Sequence, residues 1–145
     1  MLIVQIKKFL LPTKSYIGQQ LFDEKISNFI PDEIFDAHAH WYDMSHLNTR
    51  TDAIDHSEVG FQTMKNSLDL WMGSRDYNGL YFPFPVKDLD CFEANKFLGK
   101  ELSYRPLSRG LMMIRPDDEP DFVEQQIRGG KFSGFKVYHV FANRD

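Results

Sequence analysis

The chain has 145 residues, a length that fits one domain with a hydrophobic core of ordinary size. Its composition, 42% hydrophobic and 26% charged, is typical of a globular protein and excludes a disordered or fibrous one. The net charge of −4 provides no basic surface for a polyanion, so we expect no nucleic-acid partner.

A single cysteine, Cys91, excludes an intrachain disulfide and is compatible with a reducing compartment. It falls within an apolar helical pattern, which favours a buried structural thiol over a nucleophile. The first residues are apolar but reach Lys7 and Lys8 too soon for a spanning helix, which needs roughly 20 apolar residues. A signal peptide places its positive charges first, and this segment does not. The sequence therefore predicts a cytoplasmic protein that has no membrane partner.

Short apolar runs alternate with helical patterns along the chain, which is typical of βαβ units in a parallel sheet. Residues 1–30 form a leading segment with a helix over 15–29, and Pro31 ends that helix. The apolar runs predict strands over 33–38, 79–84, 110–115 and 133–138. The segments between them predict a polar loop to about residue 55 and helices ending near residues 73, 102 and 129.

Individual residues set the expected ends of these elements. Asp55 and Glu58 form a predicted capping pair for the helix after the first strand, and Gly73 is expected to end it. Pro83 lacks an N–H for the sheet, so pairing of the second strand is expected to finish near Phe82. Right-handed crossovers then place all four strands' C-terminal ends at one edge, where ligands bind in such folds.

The sequence His38-Ala39-His40 lies at that expected edge, at the end of the first strand. Side chains alternate along a strand, so His38 and His40 are predicted to converge on one side. Two such imidazoles can share zinc at about 2.0–2.1 Å per Zn–N bond. Asp36 has the same parity and is expected beneath them as a hydrogen-bond acceptor. The motif alone leaves open two loop histidines that bind no metal.

The segment Phe29–His40, FIPDEIFDAHAH, resembles the first-strand segment of the amidohydrolase superfamily, in particular its amidohydrolase-related group. The segments 109–116 and 134–139 resemble later parts of the same barrel. The resemblance covers most of the chain after about residue 28. It implies a TIM-type (β/α)8 barrel, of which residues 31–145 would be a half-barrel truncated after strand four.

Members of that family use one or two divalent metals, here most simply zinc, to activate water against a C–N or C–O bond of a small-molecule substrate. Related members are decarboxylases, hydratases or isomerases. By position in the motif, the resemblance makes His38 and His40 metal ligands. Lys136, at the end of the fourth strand, has three open alternatives. It is a metal-bridging lysine after carboxylation, a ligand for a substrate carboxylate, or an ordinary charged residue.

Two further residues are predicted to bind substrate at the strand ends, Arg115 on the third strand and Tyr138 on the fourth. A surface Arg115 paired with Asp117 or Asp118 is the alternative for the first of these. In the family, more ligands follow on the fifth and sixth strands and the base on the eighth. The resemblance therefore implies a fragment that is inactive alone, with no catalytic residue assigned. The alternative is a non-catalytic half-barrel that self-associates through its open sheet edges.

Overall fold

The computed structural model describes residues 16–47, 57–129 and 132–141 of the chain. Helices and strands alternate along it, as the hydrophobic pattern predicts. The helices are α1 (Tyr16–Lys25), α2 (Phe61–Met72), α3 (Cys91–Leu102) and α4 (Pro120–Arg128). The strands are β1 (Glu33–His40), β2 (Tyr42–Asp43), β3 (Glu58–Val59), β4 (Asp76–Phe82), β5 (Arg109–Met113) and β6 (Gly134–Lys136). Over this part of the chain, none of the helices has the length and apolar character needed to cross a membrane.

Four of these strands form one parallel sheet in the order β1-β4-β5-β6. The register places His40 beside Phe82 and Met113 beside Lys136. All four strands run the same way, so their C-terminal ends lie at one edge of the sheet. The prediction of a mixed α/β fold with a parallel sheet is confirmed.

Several predicted boundaries are confirmed and others shift. Pairing of β4 ends at Phe82, just before Pro83. α2 ends at Met72 and is capped by Gly73, whose φ of 70° suits a residue without a side chain. β1 continues beyond the predicted strand to His40. The segment predicted as a polar loop contains β2 and β3, which pair antiparallel, with Tyr42 opposite Val59.

The start of α2 differs from the prediction of a local capping pair. Glu58 lies in β3, and Asp55 lies outside the described residues. The N–H of Phe61 instead donates to the carboxylate of Glu101 on α3, at 2.9 Å. Gly60 precedes the helix, and a Cβ at this position would collide with that carboxylate. The cap therefore comes from a residue 40 positions away, which no local sequence pattern reveals.

The main core lies between the sheet and the helices α2, α3 and α4. Trp41 and Tyr81 are fully buried at its centre and stack with ring centroids 3.7 Å apart. Burying a large apolar side chain stabilises the fold by roughly 1.5–3 kcal/mol. The other buried members of this cluster are Val59, Leu98, Leu102, Met112 and Phe132.

A polar network holds together the N-terminal end of the sheet. Arg105, which follows α3, donates from Nη2 to Asp76 Oδ1 at 2.6 Å and to the Tyr77 carbonyl at 2.8 Å. It also reaches Asn78 Oδ1 at 3.2 Å, and its guanidinium lies 4.2 Å from the centre of the Phe61 ring. One cation thus joins β4 to the start of α2.

Candidate metal centre

The two histidines of the first strand lie together at the C-terminal edge of the sheet. The ring centroids of His38 and His40 are 5.4 Å apart, and their planes are inclined by 77°. Each ring lies 4.6 Å from the ring of Phe82, the last residue of β4, which is itself buried. The two imidazoles therefore project on the same side of the sheet, against one aromatic ring.

β1 contains an irregularity that strand alternation alone does not predict. Asp36 is level with Gly79 and Ala39 with Tyr81, so β1 contains one extra residue between those two pairs. The extra residue places Asp36 on the Tyr81 side of the sheet, opposite His40. The prediction that Asp36 lies beneath the imidazoles is therefore wrong. Its Oδ1 instead accepts the backbone N–H of His38, at 2.9 Å.

The tautomer of His40 follows from its hydrogen bond to the backbone. Nδ1 lies 3.1 Å from the carbonyl oxygen of Pro83, which only accepts hydrogen bonds, so Nδ1 carries the proton. Burial is the main cause that lowers the pKa of His40 below 6.5, and the positive charges of His38 and Lys136 lower it further. The neutral ring then has its lone pair on Nε2, which is the form of histidine that binds metals.

Lys136 and Tyr138 complete a group that we call the C-terminal cluster: His38, His40, Phe82, Lys136 and Tyr138. The ammonium of Lys136 lies 5.1 Å from the centre of the Phe82 ring and 5.3 Å from that of Tyr138. Along the described segments, no carboxylate forms an ion pair with it. Burial raises the pKa of Tyr138, so its hydroxyl stays protonated and able to donate a hydrogen bond.

The guanidinium of Arg115 contacts groups outside the C-terminal cluster. Its Nη2 donates to the carbonyl of Leu89 at 2.5 Å, and Nε lies 3.3 Å from the sulfur of Cys91. The guanidinium also lies 5.0 Å from the centre of the Phe141 ring. Asp118 accepts the backbone N–H of Arg115 and not its guanidinium. Arg115 thus anchors the segment before α3, beside a Cys91 thiol that is buried as predicted and whose pKa burial raises.

The spacing of the two imidazoles fits a shared metal ion. With Zn–N bonds of about 2.0–2.1 Å and near-tetrahedral angles, two ring centres would lie roughly 5 Å apart. The observed separation of 5.4 Å is close to that value. A catalytic zinc usually has three protein ligands, and residues 16–47, 57–129 and 132–141 contain no group of three His, Cys, Asp or Glu that could hold one. The described residues therefore supply at most two ligands, His38 and His40, to such a site.

Sequence reasoning missed two members of this site, Phe82 and Pro83. Phe82 is the surface against which both imidazoles pack, and the Pro83 carbonyl sets the tautomer of His40. The available signal was the end of β4. β4 is the parallel neighbour of β1 and ends at Phe82. Its last residues were therefore expected to lie level with the C-terminal end of β1.

Comparisons of the chain with protein-family models, with curated proteins and with solved structures find no match. The interpretation of the C-terminal cluster rests on its own geometry and chemistry.

Proposed function

We propose that residues 31–145 are the first half of a TIM-type barrel belonging to a metal-dependent hydrolase of the amidohydrolase kind, and that this half is inactive alone. The parallel strand order β1-β4-β5-β6 supports the proposal, because consecutive parallel strands are how such a barrel is built. The position of the C-terminal cluster supports it as well, because barrel enzymes carry their active sites at that edge.

The observation that carries the proposal is the pairing of His38 with a His40 whose tautomer is set. The Nδ1 of His40 donates a hydrogen bond to the Pro83 carbonyl, so the lone pair of the neutral ring is on Nε2. Metal-binding histidines commonly have this arrangement. Solvated loop histidines need no such anchor. The 5.4 Å between the two ring centres then suits binding of the same ion by both rings.

In this proposal, His38 and His40 hold a divalent metal, with zinc the simplest choice for imidazole ligands. The metal, when bound, supplies Lewis acidity and lowers the pKa of water to about 7. Lys136, half-buried and without a carboxylate partner in the described structure, binds an anionic group of the substrate. Tyr138 donates a hydrogen bond to the same group, and Phe82 excludes water from one side.

The substrate class is a small anionic molecule. Hydrolysis of its C–N or C–O bond is the reaction that we propose, and decarboxylation, hydration or isomerisation are the related reactions for the same ligand pair. A third ligand and a base must come from strands that complete the barrel. Metal binding is therefore the property of this chain that can be tested directly.

The test is a zinc titration of the 145-residue chain against a chromophoric competitor chelator. We expect one zinc per chain, bound weakly because two protein ligands replace the usual three. The variants His38→Ala and His40→Ala should each weaken binding on the order of 100-fold, because the remaining imidazole holds the ion alone.

His139→Ala is the matched control, since His139 is an exposed histidine in the short 3-10 turn His139–Phe141. It should bind zinc as the unmodified chain does, and circular dichroism should show all three variants folded. Equal zinc affinity in the His38, His40 and His139 variants would contradict the proposal.

A further inference from the structure

A bulge in β1 determines which face of the sheet the two histidines occupy. Ala37 and His38 lie opposite the single residue Leu80 of β4, so β1 contains one extra residue at this point. The two-residue spacing alone places His38 and His40 on the same side of the strand. One extra residue exchanges the two faces for every residue that follows it, so the bulge decides which side that is.

The face that the bulge avoids is occupied by the main core. If the register at the start of β1 continued without the bulge, His38 would be level with Tyr81 and would point to its side of the sheet. Tyr81 is fully buried there and stacks on Trp41. With the bulge, Ala39 is the residue level with Tyr81, and it packs against that core. Both imidazoles contact Phe82 on the opposite face.

The carboxylate of Asp36 forms a hydrogen bond across the bulge. Its Oδ1 accepts the backbone N–H of His38, two residues later, at 2.9 Å. A carboxylate bound in this way closes a local turn and gives the backbone an alternative to the regular ladder of the sheet. Gly79, the residue of β4 level with Asp36, permits the close approach of the two strands, because a Cβ there would lie 2.8 Å from the Asp36 carbonyl oxygen. Both features favour the bulged conformation at this point.

We infer that Asp36 is a positioning residue for the histidine pair: its bond to the N–H of His38 holds the bulge that directs both imidazoles to the Phe82 side of the sheet. Asp36 itself lies on the other side and acts through the backbone. Its effect on the rings is independent of any metal, whereas its effect on zinc affinity rests on the proposed function. The two effects are therefore measured separately.

The test compares Asp36→Ala with Asp36→Asn. Both variants remove the negative charge, but the amide oxygen of asparagine can still accept the N–H of His38. In the unmodified chain we expect nuclear Overhauser effects between the Phe82 ring and both imidazoles, whose centroids lie 4.6 Å from it. Asp36→Asn should keep these effects, and Asp36→Ala should weaken those of His38. In the zinc titration, the affinity of Asp36→Ala should fall about tenfold, and that of Asp36→Asn should stay close to the unmodified value.

Glu33→Ala is the matched control, because Glu33 is an exposed carboxylate at the start of the same strand, before the bulge. It should leave the ring contacts and the zinc affinity unchanged. Undiminished contacts between His38 and Phe82 in a folded Asp36→Ala chain would overturn the inference, and so would equal losses in Asp36→Ala and Asp36→Asn. If the ring contacts respond as expected but the unmodified chain binds no zinc, the proposed function fails and the positioning role stands.

If Asp36→Ala unfolds, NMR of the unmodified chain decides. We expect a scalar coupling across the hydrogen bond, between the amide nitrogen of His38 and the carboxyl carbon of Asp36, and slow exchange of that amide with solvent. An uncoupled amide that exchanges as fast as in an unfolded chain would contradict the positioning role.

Discussion

The two ends of the sheet use their polar residues in opposite ways. At the N-terminal end, Arg105 is bound by a carboxylate, a carbonyl and an amide oxygen, and it covers an aromatic ring. At the C-terminal end, His38 and Lys136 contact aromatic rings but no carboxylate pairs with Lys136 in the described structure. Polar groups that form hydrogen bonds or ion pairs with each other stabilise the fold. Polar groups without such a partner can bind a ligand.

The same contrast holds for the buried polar side chains. Near the N-terminal end, Ser108 Oγ accepts the N–H of Gly79 at 3.3 Å and lies 3.3 Å from Asn78 Oδ1. At the C-terminal end, the His40 ring is oriented by backbone hydrogen bonds, from Nδ1 to the Pro83 carbonyl and to the backbone of Phe82. We therefore expect substitutions at the N-terminal end of the sheet to change the free energy of unfolding. Substitutions at the C-terminal end are expected to change zinc affinity.

The largest stability effect is expected for Arg105→Ala. The substitution removes the hydrogen bonds to the Tyr77 carbonyl and Asn78 together with the contact on Phe61, and should lower the free energy of unfolding by about 2–3 kcal/mol. Urea denaturation measures this loss. Zinc affinity of the folded fraction should stay unchanged, because Arg105 lies at the opposite end of the strands.

The matched control is Arg128→Ala. Arg128 is an exposed arginine whose partner is Glu124, one turn earlier in α4. Exposed pairs of this kind contribute about 0.5 kcal/mol or less. Equal destabilisation by the Arg105 and Arg128 variants would show that the N-terminal network does not stabilise the fold, and the contrast between the two ends would be lost.

The next effect concerns the protonation of His40. Its folded pKa is lowered by burial, so the unfolded chain binds more protons and stability rises as the pH increases toward and through about 6.5. NMR of the imidazole nitrogens should show His40 as the Nδ1–H tautomer, with a titration midpoint below 6.5. Lys136→Met removes one nearby positive charge and should move that midpoint upward. An Nε2–H tautomer would contradict the assigned role of Pro83.

The smallest effect concerns Asp76. The hydrogen bond from Arg105 is the main cause that lowers the pKa of this carboxyl. A carboxylate with a lowered folded pKa adds stability that is present above its unfolded pKa of about 3.9 and is lost as the pH falls through the folded value. Asp76→Asn should therefore flatten the decline of the melting temperature at acidic pH. An unchanged decline would exclude Asp76 as a contributor to it.

Much of the fold could be predicted because its signals are local. The alternation of short apolar runs with helical patterns identified each strand of the parallel sheet, and Pro83 and Gly73 marked two ends correctly. The HxH spacing likewise brought His38 and His40 to one side of the sheet.

The features that were missed depend on non-local contacts. The extra residue in β1 appears only in its register with β4, and it moves Asp36 to the other face. The contacts of the Arg115 guanidinium with a carbonyl and a ring from distant segments were not predicted either, and its role in substrate binding stays a prediction. The cap that Glu101 provides for α2 is of the same kind. Spacing along the chain contains no information about such partners.

The most direct test of a metal site at the C-terminal edge is a crystal of the chain soaked in zinc, with anomalous diffraction measured at the zinc absorption edge. The account predicts an anomalous peak within bonding distance of ring nitrogens of both His38 and His40, at about 2.0–2.1 Å from each. Zinc bound elsewhere on the chain, with no peak between these two imidazoles, would contradict it.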